Sequence, residues 1–159
     1  MSGASGSEER LRFLLRVTAK QVEHLRQTDQ RLFAQPISVT ILRGLDGNAA
    51  LAERVEAFAS RFSRLQDTLG DKLLPVLLSV AGETPRTVIE NLDRAEKLGW
   101  VASADQWMSL RKLRNQMVHE YVEDMAILAD ALNFGHESVP TLCQAAAVLA
   151  SEAERLLAL

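Results

Sequence analysis

The chain has 159 residues, enough for one ordinary domain that buries roughly two thirds of the surface its unfolded form exposes. Its 18 basic and 21 acidic side chains leave a net charge of −3, which excludes a broad positive field for bulk nucleic-acid binding, and 5 % aromatic residues exclude a stacking platform for single strands. The single cysteine, Cys143, has no partner for an internal disulfide. No run approaches the ~20 apolar residues of a membrane helix, so a cytoplasmic protein without membrane contact is expected.

Residues 1–7, Met-Ser-Gly-Ala-Ser-Gly-Ser, are small and polar and read as a disordered tail. From there a single helical domain is expected over residues 8–159. Apolar residues at three- and four-residue spacing predict a first helix from Ser7, its N-cap, to about Phe33. Arg10 stands where a capping box would place Glu. Pro36, Gly44 and Asp46-Gly47 punctuate residues 34–48, so Ile37, Val39, Ile41 and Leu42 predict an extended or strand-like connector.

A long second helix is predicted from Ala49 to Val80, bent or interrupted by Gly70 and Pro75. Thr84 as N-cap and Pro85 at the first position predict a third helix that Gly99 ends after Leu98. Ser103 caps a fourth, carrying Trp107, Leu110, Leu113, Met117 and Val118. A fifth starts near Glu123-Asp124, is expected to be disturbed around Phe134-Gly135-His136, and resumes from Ser138 and Pro140 to Leu157. The expected fold is all-α, an up-and-down bundle of four to five helices.

Three histidines are scattered along the chain. His24 reads as solvated on the first helix, His119 lies on the fourth, and His136 is expected in a loop or cap role. None has a ligand partner at metal spacing, and no phosphate loop or nucleophile elbow is present, so no metal or cofactor is expected. Cys143, among alanines in a helical pattern, reads as a small buried apolar side chain.

The fourth helix carries one anomaly. At 100° per residue, Leu110, Leu113, Met117 and Tyr121 form an apolar stripe, and Arg114 falls inside it. A guanidinium keeps its charge, so it needs an anion or a polar cleft there. One explanation is structural, a carboxylate on another helix, with Asp67 and Glu90 as candidates. The other is chemical. An arginine, an asparagine, a histidine and a tyrosine converging on a cleft can bind a phosphodiester, stabilise its transition-state charge and move protons. Yet His119 is turned by roughly 140° and advanced about 7.5 Å from Arg114 on a straight helix. The site therefore requires either a helix that ends between them or a second chain. Asn115 and His119, four apart, can touch, and Arg111 and Lys112 are candidates for contacts to RNA phosphates beside the motif.

The pattern Arg114-Asn115-x-x-x-His119-x-Tyr121, near the end of a helix in an all-α domain of this size, resembles the HEPN family and especially its HepT-like branch. Trp107, the run from Arg94 to Trp100 and the segment from Phe62 to Asp71 extend the likeness over most of the chain from about Leu11. The resemblance implies a homodimeric HEPN-like bundle with two motifs lining one groove. It also implies metal-independent endoribonuclease activity that leaves 2′,3′-cyclic phosphate ends, as the toxin of a toxin-antitoxin pair. The implied partner is a minimal nucleotidyltransferase antitoxin that adds AMP to the motif tyrosine. Carried over, Arg114 and His119 are catalytic, Tyr121 is the AMP acceptor, and Asn115 and, more loosely, Asp67 support them. The alternative is a non-catalytic subunit presenting a nucleotide or substrate to a partner nucleotidyltransferase.

Overall fold

The computed structural model describes residues 2–119 and 124–159, the side chains of residues 2–5 and 119 excepted. Described residues form helices and loops, with no strand among them. The helices in chain order are α1 (Ser2–Leu32), α2 (Val39–Arg43), a 3-10 turn (Leu45–Gly47), α3 (Ala49–Asp67), a π-helical segment (Thr68–Leu73), α4 (Leu74–Val80), α5 (Val88–Lys97), α6 (Ala104–His119) and α7 (Met125–Leu157). α1 packs on α3 and α7, and α6 packs on α3, α5 and α7. Phe58 and Phe62 of α3, both fully buried, sit at the centre. Phe33 meets Phe58 edge-on at 5.3 Å between ring centroids. No helix among the described residues is long and apolar enough to cross a membrane.

Several boundaries differ from the sequence expectation. α1 is already helical at Ser2, so residues 2–7 belong to the helix and Ser7 is not its N-cap. The stretch 39–47 is helical rather than extended: the Ser38 hydroxyl accepts from Ile41 N at 3.3 Å and starts α2. A lone strand would leave its backbone groups unpaired, whereas a short helix pairs them internally while still burying Ile37, Leu42 and Leu45. α5 starts at Thr87, not Thr84. Thr87 forms a complete capping box with Glu90, and Thr84 has no acidic residue three positions on.

α7 runs without a break through Phe134-Gly135-His136 and contains Pro140 internally. Gly135 is there for contact. A Cβ on it would lie 3.0 Å from Phe58 Cε1 and 3.3 Å from Met117 Sδ, so the glycine lets α7 approach α3 and α6. Pro140 removes the donor to the His136 carbonyl, and both residues are exposed, so water can satisfy that oxygen.

The expected interruption of the second helix is present as the π-helical segment. Pro75 opens α4, and its ring would crowd the carbonyl of Asp71 in an ordinary α-turn; a widened turn relieves this. Gly70 is fully enclosed, and a Cβ on it would stand 2.9 Å from Trp107 Nε1. The absent side chain makes room for the Trp107 indole, which reaches from α6 onto the π-helical segment.

Candidate functional site

The buried stripe of α6 consists of Trp107, Leu110, Leu113 and Met117, each no more than 3 % exposed. Arg114 lies among them and points its guanidinium across to the end of α3. Its Nη2 donates to Asp67 Oδ2 at 2.9 Å, and its Nη1 donates to Asn115 Oδ1 at 3.1 Å. One turn earlier, Arg111 Nη1 stands 3.5 Å from Asp71 Oδ1. The pairing of 111 with 71 and 114 with 67 means that α6 crosses this part of the chain antiparallel, with two rungs of opposite charge.

The rungs are half-open. The Arg114 and Asp67 side chains are 32 % and 35 % exposed, so solvent or a ligand reaches one edge of the pair. The other edge is closed: Arg114 Nε is buried and has no hydrogen-bond partner among the described residues. Beside Asp67, the Gln66 amide is also buried. Its Nε2 donates to the Trp107 carbonyl at 3.4 Å, while its Oε1 has no partner among the described residues. Buried polar atoms without partners are costly and uncommon, and here a donor and an acceptor of this kind lie on the two helices that meet at the rungs.

Of the candidate carboxylates for Arg114, Asp67 is the one it meets. Glu90 belongs to the α5 capping box, where its carboxylate accepts from the Thr87 backbone and hydroxyl; these bonds hold its pKa below the ordinary 4.5. Lys112 is exposed on the far side of α6, and Arg111 is engaged with Asp71. α6 is continuous from Arg114 to His119, so no helix end falls between them. The His119 backbone closes α6; its side chain, and Tyr121 altogether, lie outside the described residues.

Asp71 was not singled out from sequence. The signal was a carboxylate pair at i and i+4 on one helix facing an arginine pair at i and i+3 on another, which acquires meaning only once the two helices are known to meet. The remaining histidines are elsewhere. His24 is exposed, and its carbonyl accepts from Arg61 at 3.2 Å. His136 is in mid-helix rather than in a loop: it stacks on Phe33 at 4.2 Å, and its Nδ1 pairs with Asp29 at 2.6 Å, tying α7 to α1. Cys143 is buried, and burial pushes its thiol above the ordinary 9.0. Among the described residues no cluster of three metal-ligating side chains occurs.

What the arrangement can do is hold an anion at a fixed place. A guanidinium has five N–H donors. Described side chains occupy two, and the Asp67 and Asn115 contacts fix its plane. Comparison of the chain with family models, with curated proteins and with solved structures gives no match.

Proposed function

We propose that the Arg114–Asp67–Asn115 edge is the phosphate-binding half of a metal-independent endoribonuclease site, of the kind the HepT-like resemblance implies. The observation that carries the reading is a permanent cation on a core-facing stripe, aimed by two side chains and left partly open to solvent. In the proposed reaction Arg114 binds non-bridging oxygens and meets the charge that develops on phosphorus. The RNA 2′-oxygen attacks, the bond to the 5′-oxygen breaks, and a 2′,3′-cyclic phosphate remains. His119 transfers a proton from the 2′-hydroxyl or to the departing 5′-oxygen.

Because α6 is unbroken, Arg114 and His119 of one chain are turned about 140° apart, and the reading therefore includes a homodimer in which two motifs share a groove. In the same reading a minimal nucleotidyltransferase partner silences the toxin by adding AMP to Tyr121. Incubation with RNA in EDTA should yield cyclic-phosphate ends. Undiminished cleavage by Arg114→Ala or His119→Ala would sink the assignment. Co-expression with the nucleotidyltransferase should add AMP mass to Tyr121.

The same 140° separation favours a second reading for a chain that stays monomeric, a subunit that holds a nucleotide or substrate phosphate without cleaving RNA. Nucleotide binding by calorimetry, together with no cleavage, would select it.

A further inference from the structure

A second cationic feature lies on the other side of α3, where α1 and α3 form a groove. A cavity of about 330 Å³ opens along it and adjoins a larger one, of about 550 Å³, between the end of α1, residues 34–44 and the start of α3; the two share Arg31 and Arg54 in their walls. Arg61 lines the smaller, and Glu53 is the carboxylate that accompanies it. Ala50 and Ala57 also line the smaller cavity.

The arginines are not consumed by ion pairs: among the described residues, Arg31, Arg54 and Arg61 make none. Arg61 is instead anchored by neutral oxygens, donating to the Thr28 hydroxyl and to the His24 carbonyl of α1. Those bonds tie its guanidinium to α1 without cancelling its charge. Arg54 stands seven residues before Arg61, so the two share a face of α3 within roughly 20° and lie about 10 Å apart along the axis. Arg31 faces them from the last turn of α1. A chain of net charge −3 thus gathers in one groove three arginines that make no ion pair among the described residues, with Glu53 the one carboxylate lining it.

We infer that the α1–α3 groove binds the phosphate backbone of an RNA strand. This rests on the proposed endoribonuclease reading and gives its substrate a second holding surface, away from Arg114. Cations spread along a groove match a polymer with one charge per unit better than a compact anion, and arginine forks suit phosphate oxygens. The cavity walls contain no aromatic ring, so contacts run to the backbone and recognition is independent of sequence. Arg61 lies roughly 9 Å before Asp67 along the α3 axis and about 120° around it, so a strand held in the groove would have to pass around α3 to reach Arg114.

The test is fluorescence anisotropy of a labelled single-stranded RNA with the full chain in EDTA, over a series of salt concentrations. Arg31→Gln/Arg54→Gln removes two solvent-facing contacts while leaving Arg61 and its bonds to α1 intact. Each phosphate contact contributes about 0.7 to the slope of log K against log salt on a single strand, so the double variant should flatten it by about 1.4. Its circular dichroism spectrum should match the wild type. An unchanged slope or failure of the wild type to bind RNA would overturn the inference. Cleavage is scored separately. A wild type that binds RNA through these arginines yet never cuts it refutes the nuclease reading alone; a double variant that cuts with an unaltered salt slope refutes the groove alone.

Discussion

Replacing Arg114 by methionine separates an arginine kept for function from one kept for stability. Methionine retains most of the stem that packs between Trp107, Leu110 and Met117 but removes the guanidinium. Two terms then oppose one another. The pair with Asp67 is about one third exposed at each end, so its loss should cost about 1 kcal/mol, near the upper end for solvent-accessible ion pairs. Asp67, one third exposed, can rehydrate. Against this, the substitution removes the buried Nε, which has no partner among the described residues, and an unsatisfied buried donor costs about 1–3 kcal/mol. The net expectation runs from neutral to about 2 kcal/mol of added stability. For a chain of this size that is a rise in Tm of up to about 8 °C at 2–4 °C per kcal/mol. Calorimetry on Arg114→Met and wild type reads it directly, with RNA cleavage measured on the same samples. A fall of more than about 4 °C would refute the reasoning and make Arg114 a structural strut; a stable variant without cleavage is the expected outcome.

Further expectations concern the frame around the site. Gly70→Ala should destabilise by about 1 kcal/mol: the new Cβ, 2.9 Å from Trp107 Nε1, incurs an overpacking cost of about 1–3 kcal/mol that the better helix propensity of alanine, about 1 kcal/mol, only partly offsets. Urea unfolding would show it, and a stabilised variant would mean that the Trp107 indole stands farther from Gly70. Thr87→Ala should cost about 1 kcal/mol through loss of the α5 cap, and an unshifted urea midpoint would argue for a start at Thr84. Glu83 and Glu90 have folded pKa values below their ordinary 4.5, held down mainly by hydrogen bonds from Arg94 and Thr87 respectively. Their contribution is therefore complete above 4.5 and is lost as the pH falls through that value and below; Glu90→Gln should reduce the acid sensitivity of the urea midpoint. Cys143, buried and with its thiol pKa raised, should react with a thiol reagent at pH 8 only on unfolding, and prompt labelling of the native chain would place it at the surface.

Helix content and the core face of α6 were legible because they depend on local periodicity: Trp107, Leu110, Leu113 and Met117 repeat at helical spacing and are all buried. Arg114 stood out for the same reason, as a charge on that stripe, and Asp67 was among the carboxylates suggested for it. Gly135 could not be read correctly. A glycine between Phe134 and His136 looks like a helix break until Phe58 and Met117 are seen pressing on the position where its side chain would be. Likewise, Val39, Thr40 and Ile41 favour a strand by propensity, but with no neighbouring strand to pair with, the cap at Ser38 makes a helix the better way to satisfy the backbone. Asp71 belongs to the same class, since its meaning depends on a partner 40 residues away at Arg111.

The widened turn at Thr68–Leu73 makes chain length a control on the site. An α-turn closes its bonds four residues apart and a π-turn five, so the segment holds one residue more than a regular helix needs. Removing one residue there would let α3 and α4 fuse into a regular helix with its backbone bonds intact, and because the widened turn absorbs that extra residue, the chain on either side would keep nearly its present faces. Asp67 ends α3 and Asp71 lies inside the segment. A one-residue deletion within α3, which has no surplus residue to give up, would instead turn everything beyond it by about 100°, so the site depends on where a residue is lost as much as on which one.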